Sequence, residues 1–504
     1  MYGLIRDHPK LYPYKFIKVQ QLADGKKTSR LEKFGRMMEK PFYFTLTSHR
    51  PFIGLSAARR AKHTKVREAV ASTTIKMKIS LTLRGQHFRL LVVGGGASGM
   101  GASHKFARKL PKFSVGVVEP NEIHYYQPGF TLVGGGLMPL SVNKRQQKDL
   151  IHPKTVWIKD SVAKFEPKKN SVKLSNGDDV TYDYMIICTG VQLRWDLIKG
   201  LPEGLDTPGV CSNYSPHHCE KTYKELSTVE SGNCIFTFPN KPIKCAGAPQ
   251  KICYIGDEIL RKRGVRDNTH FIYATALGRL FGVEAYLCSL NKVAKKKEID
   301  VKTRVNLCEV DTKNKIAKFE LVDENCEAIP GKYWQTPYSV LHVGPPCTPP
   351  PPVRECKELT DAKGWLDVDP GTLRSKHFPN VFGAGDCINT GNAKTAAAVS
   401  SHLKTIEKNL TAVIEGRDPQ AKYDGYASCP LVIGKNKAIL AEFNSEGRME
   451  TTPVDQSVVR IFPYFLKRYA MPWIYWHMLV KGYWNGPATM RKLLHLGNLL
   501  PRRK

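Results

Sequence analysis

Acidic residues are what the two ends of this 504-residue chain lack. Residues 456–504 hold nine Lys and Arg and no Asp or Glu, and residues 1–88 hold 19 bases against five acids. The ends therefore carry +9 and +14 of the net charge of +32, which leaves +9 for everything between. A basic excess of this kind serves solubility or meets an anionic partner, either a nucleic acid or a membrane face. No motif that reads RNA or DNA is present, so nucleic acid is not an expected partner. Runs of 18 or more apolar residues are also missing, and a membrane-spanning helix is not expected. The thirteen cysteines form no C-x-x-C pair and have no histidine at zinc spacing, so no metal site is expected. Their density at this length also argues against a disulfide-stapled secreted scaffold.

The length exceeds what one hydrophobic core usually supports, so two or more domains are expected. Residues 1–86 lack convincing periodicity. From Pro41 to Arg67 they contain no acid but several bases, Ser and Thr. That composition fits a transit peptide or a disordered basic extension.

The folded body opens at "RLLVVGGGASGMGA", residues 89–102. Leu90–Val93 reads as a parallel strand buried on both faces. Gly94, Gly96 and Gly99 follow as G-x-G-x-x-G, whose missing Cβ atoms permit a tight turn and close backbone approach to a pyrophosphate. A helix from about Ala97 to Lys109 directs its N-terminus at those phosphates. Val115–Val118 is a second strand ending at Glu119, 20 residues beyond Gly99, where a carboxylate takes ribose hydroxyls. Three later segments extend the pattern: "YMIICTG" (184–190), "YSVLHVGPP" (338–346) and "VFGAGDCIN" (381–389). In two-dinucleotide flavoproteins the Asp of the last kind of segment, here Asp386, contacts the ribityl–pyrophosphate region of FAD. The fold class expected is α/β, with an FAD domain, a degenerate second Rossmann-like unit and C-terminal amphipathic membrane-associating helices.

The second unit has no glycine-rich loop. "CIFTFPNKPIKCAGAPQK" (234–251) supplies a strand and the start of a helix, but between them stand Pro-Asn-Lys-Pro and Cys245. Cys387 directly follows Asp386, so two thiols 142 residues apart occupy carboxyl ends of strands. Those ends converge on the ligand crevice in doubly wound folds, and both cysteines are read as redox-active.

The chain resembles the mitochondrial-type sulfide:quinone oxidoreductases from about Arg89 to its C-terminus. The segments that carry the resemblance are "HYYQPGFTLVGGG", "FTFPNKPIKCAGAPQK", "VFGAGDCIN", "KTAAAV", "KYDGYASCPLV" and "MPWIYWHMLVKGYWNGPA". The resemblance implies a catalytic pair, Cys245 and Cys387, bridged at rest. Sulfide opens the bridge and leaves a persulfide on Cys387, while the Cys245 thiolate engages the flavin. Glutathione, sulfite or coenzyme A takes the sulfur, and ubiquinone takes two electrons. It further implicates Ala97, Ser98, Gln127, Val162 and Lys394 in FAD binding. The expected organisation is a leader (1–86), the FAD unit (87–230), the second unit (231–345), a return to the FAD unit (346–420) and a C-terminal region (421–504). The last region lies on the inner mitochondrial membrane as a peripheral anchor, its aromatics and cations at headgroup level. Two alternatives remain: a type II NADH:quinone oxidoreductase, which needs a second glycine-rich loop, and a redox-linked scaffold with nucleic-acid-binding ends.

Overall fold

The computed structural model describes residues 85–391 and 393–496. The expected leader lies outside the described residues, apart from Gly85 and Gln86.

The first sheet starts from strand β1 (Gln86–Val93), followed by helix α1 (Ala97–Ala107), strand β2 (Val115–Val118) and, later, strand β3 (Asp179–Ile187). β2 is buried at every position, as its unbroken apolar sequence requires of a strand covered on both faces. β1 pairs in parallel with both β2 and β3, and Thr155–Ile158 adds in parallel beyond β2. Two strands, Val162–Glu166 and Ser171–Leu174, extend the sheet antiparallel from β3.

The second sheet is parallel throughout. Its centre is β4 (Gly232–Phe238), followed by α2 (Ala248–Arg263) and β5 (Thr269–Thr275). Ile299–Thr303 flanks β5, and β6 (Val340–His342) lies on the other side of β4. The edge strand is Val210–Cys211, which pairs with β6. The chain thus changes sheets before Val210, earlier than residue 231. A two-residue strand leaves no periodicity from which to read that change. A three-stranded antiparallel sheet spanning residues 305–337 interrupts the unit.

The chain then returns to the first sheet through β7 (Val381–Gly383), which pairs in parallel with β3. α3 (Ala396–Ile414) follows, capped by the Thr395 side chain, which accepts from Ala398 N. An antiparallel hairpin, β8 (Ala427–Gly434) and β9 (Lys437–Asn444), completes the body. β8 is buried along its whole length and packs on α2.

Helical segments Ile461–Phe465, Leu466–Ala470, Met471–Ile474 and Tyr475–Leu479 then run end to end, the second and fourth with the wider π-type turn. Pro472 has no N–H for the carbonyl four residues back, and a widened turn beside it absorbs that loss. Among the described residues no helix is long and apolar enough to cross a membrane.

Candidate functional site

The carboxyl ends of β1, β2, β3 and β7 meet at the glycine loop. Gly94 has φ of +99°, and a Cβ there would lie 2.6 Å from the Cys188 carbonyl oxygen. A Cβ on Gly99 would lie 1.7 Å from the Gly94 carbonyl oxygen. Both glycines are therefore required by the turn itself. Gly96 differs: it begins α1, and no atom lies within 4 Å of where its Cβ would be. The loop thus packs tightly below and stays open above, at a helix N-terminus, which suits a dinucleotide pyrophosphate. Ala97 opens α1, and Ser98 is buried beneath the Gly385 turn.

Glu119 is buried and accepts from Gly95 N at 2.7 Å, from Asn121 N at 2.8 Å and from Asn121 Nδ2 at 2.6 Å. A carboxylate has about four acceptor positions, so capacity for a ribose hydroxyl remains. Val162 is buried at the head of its strand. Gln127 faces the second unit, where its Oε1 accepts from Lys244 Nζ at 2.6 Å.

Asp386 follows β7. Burial raises its carboxyl, against the opposing charges of Lys394 and Lys244. Lys394 Nζ donates to the Asp386 carbonyl at 2.7 Å and lies 3.8 Å from the Trp365 ring centroid. Burial lowers its ammonium.

Cys245 sits in the loop between β4 and α2 with φ of +51°, a left-handed conformation that costs a non-glycine residue about 1–3 kcal/mol. Its backbone is held on both sides. Cys245 N donates to the Lys394 carbonyl at 3.0 Å, and the Cys245 carbonyl accepts from Ala248 N at 2.8 Å and Tyr214 Oη at 3.2 Å. The Lys394 contact belongs to a parallel β-bridge between Lys244 and Lys394.

The thiol beside Cys245 is Cys429, from the middle of β8. Lys251 Nζ lies 3.3 Å from Cys245 Sγ and 3.9 Å from Cys429 Sγ, so one ammonium reaches both sulfurs. Hydrogen bonding from Cys429, aided by Lys251 and Lys467, holds the Cys245 thiol well below the ordinary range despite burial. The Cys429 thiol is pushed well above it by the same bond and by burial. Lys251 is almost fully buried. Burial works against its charge, yet the two sulfurs hold its ammonium above the ordinary value. Lys467 is equally buried and donates to the Pro128 carbonyl at 2.8 Å; burial, and then Lys251, lower it to about 7.

Cys387, the partner expected for Cys245, does not share the Lys251 contact. Its side chain is fully buried, with Sγ on the carbonyl oxygens of Ile187 and Ala384 at 3.6 Å each, and burial raises its thiol. The cause is the Gly-Ala-Gly-Asp turn. Gly385 takes φ of +83° and the chain re-enters the core, where the Cys387 carbonyl accepts from Leu366 N. Sequence reasoning missed Cys429, Lys251, Lys467 and Tyr214. Two signals were present: a cysteine inside the quoted "KYDGYASCPLV", and a lysine six residues after Cys245 in the buried first half of the helix that follows.

Gly247 has a purpose unrelated to phosphate. A Cβ there would lie 2.5 Å from Cys429 Sγ, so the glycine admits the second sulfur. Two nucleotide-type sheets, with an open glycine loop on one and two thiols around a buried lysine on the other, define a two-dinucleotide oxidoreductase. Residues 88–247 match the family model described as pyridine nucleotide-disulphide oxidoreductase. The whole chain allows a narrower statement: it belongs to the mitochondrial sulfide:quinone oxidoreductase family. It is 43% identical over 412 residues to the mitochondrial sulfide:quinone oxidoreductase of Mus musculus, covering 82% of this chain and 90% of that one. With the Dictyostelium discoideum protein of the same name it shares 39% over 405 residues, 80% and 88% of the two chains. The crystal structure of the sulfide:quinone oxidoreductase from Aquifex aeolicus has the same fold, with a TM-score of 0.67 at 17% identity over 83% of this chain and 96% of that one.

Proposed function

We propose that this chain oxidises hydrogen sulfide with FAD as cofactor, through Cys245 and Cys429, passing two electrons to ubiquinone. The observation that carries the reading is the placing of Cys245 and Cys429 on one buried lysine, Lys251, where a second nucleotide loop would be. The same loop argues against NADH as donor, because Pro239–Ala246 contains a single glycine-free run up to Gly247, which serves Cys429.

In the oxidised state the two cysteines are bridged. Hydrosulfide attacks the Cys429 sulfur, the S–S bond breaks, Cys245 leaves as thiolate, and Cys429 keeps the added sulfur as a persulfide. The direction follows from the thiols: the group with the lower pKa leaves faster, and Lys251 is placed to stabilise it. A small nucleophile (glutathione, sulfite or coenzyme A) then takes the outer sulfur and returns Cys429 to thiolate. FAD, when bound, supplies the two-electron acceptor that restores the bridge and the donor that reduces ubiquinone. Gly94, Gly96, Ala97, Ser98, Gly99, Glu119, Gln127, Val162, Asp386 and Lys394 are the residues that would hold it. The Lys394 ammonium would also favour negative charge near the reactive ring.

A mitochondrial location at the inner membrane surface is supported by the basic ends, by the naming of the relatives and by the exposed tail residues. Phe462 and Trp473 are half-exposed on the outer side of a segment whose Tyr464, Tyr475 and Trp476 are buried. Rings so placed suit the headgroup level of a bilayer.

The test is anaerobic sulfide addition to FAD-loaded protein, with quinone-analogue reduction followed in Cys245→Ser, Cys429→Ser and Cys387→Ser. Loss of turnover in the first two and its retention in the third is expected. Loss in Cys387→Ser with turnover intact in Cys429→Ser would restore the pairing first expected. Flavin bleaching by NADH and none by sulfide would overturn the reading.

A further inference from the structure

The tail that carries the exposed aromatics also reaches the glycine loop. Tyr475, 4% exposed, places its hydroxyl 2.7 Å from His124 Nε2. His124 Nδ1 lies 3.1 Å from the Gly95 carbonyl oxygen and 3.1 Å from Gln147 Oε1. Both of those are acceptors, so Nδ1 carries the ring proton, and Nε2 must accept from Tyr475. Burial lowers the imidazole to about 4, so the ring is neutral at working pH and this tautomer persists.

Gly95 is the middle glycine of Gly94–Gly96 and is committed at both of its peptide groups. Its N–H donates to Glu119 at 2.7 Å, and its carbonyl accepts from His124 and from Gln147 Nε2 at 3.1 Å. A Cβ on Gly95 would lie 2.5 Å from Gln147 Nε2 and 2.7 Å from Glu119 Cβ. The tail is fastened to α1 and to its C-cap residue, Arg108, by other contacts. Lys105 donates to Asn485 at 2.7 Å, Arg108 donates to the Lys481 carbonyl at 3.0 Å, and α1 leaves room for the Leu479 carbonyl only because residue 101 is glycine.

We infer that Tyr475 and His124 are positioning residues for the dinucleotide loop, and that docking of the C-terminal segment and retention of FAD are one coupled equilibrium. The inference rests on the flavin reading above. Coupling between two binding events is reciprocal. A docked tail holds Gly95 in the conformation that presents Glu119 and the loop amides, and a filled loop holds the tail.

The test measures both directions. Tyr475→Phe keeps the ring and removes the hydroxyl, leaving His124 Nε2 buried without a donor. FAD binding, titrated by quenching of free-flavin fluorescence, is expected to weaken about tenfold. The Trp473→Ala variant, altered at an exposed tail aromatic, is expected to match wild type in this titration. In the other direction, FAD added to the full-length apoprotein should slow amide hydrogen exchange across residues 475–480, and Tyr475→Phe should abolish that FAD-dependent difference. A role confined to overall stability would instead lower the melting temperature of the apoprotein and leave the exchange difference in place. Affinity within about twofold of wild type in Tyr475→Phe would overturn the inference while the flavin reading stands. Exchange in wild type that is indifferent to FAD would do the same without any variant having to fold. Failure of the wild-type apoprotein to take up FAD at all would overturn both.

Discussion

Replacing Lys251 by methionine removes a positive charge 3.3 Å from Cys245 Sγ and keeps an unbranched side chain in an almost fully buried site. Unit charges about 4 Å apart interact by about 4 kcal/mol at an effective dielectric near 20. That energy corresponds to about three pKa units. Two effects reduce the net change. The Cys429 hydrogen bond, the larger stabiliser of the Cys245 thiolate, remains. Lys467, held near 7 in part by Lys251, regains its proton and supplies a substitute charge. We therefore expect the Cys245 thiol to rise by about one to two units. The assay is the pH dependence of iodoacetamide alkylation in reduced protein, read on the Cys245 peptide by mass spectrometry. At pH values below the midpoint of the wild-type profile the rate should fall about ten- to a hundredfold, because the thiolate is the nucleophile. A profile within about 0.3 unit of wild type would refute the assignment of Lys251 as the charge partner.

Lys467 gives a pH-dependent expectation. Its folded-state value of about 7 lies below the unfolded value of 10.5, so the unfolded chain holds more protons between those limits. Stability should therefore rise with pH from about 7 towards 10 on this account. Lys467→Met should raise the melting temperature by more at pH 7 than at pH 9.5, as measured by differential scanning calorimetry. Gly247→Ala would place a methyl 2.5 Å from Cys429 Sγ and 2.7 Å from Leu431 Cδ2. Displacing one sulfur by about 1 Å should lower sulfide-dependent quinone reduction about 100-fold while flavin content, read from the visible spectrum, stays constant. Phe462→Glu combined with Trp473→Glu, at sites 55% and 51% exposed, should release the protein from anionic vesicles in a co-sedimentation assay.

Much of the first sheet was legible because its signals are local. An all-apolar strand, a G-x-G-x-x-G turn and a terminal acid lie within 30 residues, and each is dictated by near neighbours. Cys245 was legible for a related reason: it stands in a loop where a different chemistry was due. Cys429 was not, since a cysteine inside β8 reads as one more small buried hydrophobe, and it stands 184 residues of chain from Cys245. Cys387 misled because adjacency to Asp386 suggested a shared direction. The left-handed Gly385 and the re-entry of the chain turn the two side chains to different surroundings. Lys251 and Lys467 escaped because a lysine's default place is the surface, and only the fold shows sulfur to compensate their burial.

The short β-bridge between Lys244 and Lys394 has a bearing on turnover. It stitches the loop that carries Cys245 to the segment that follows Asp386, with Gln127 adding a further tie through Lys244. Separating the two would tear the backbone of the reactive cysteine from its neighbour. The bridge thus makes the position of Cys245 depend on the segment that follows Asp386, so the thiol loop and the flavin-side segment move as one body.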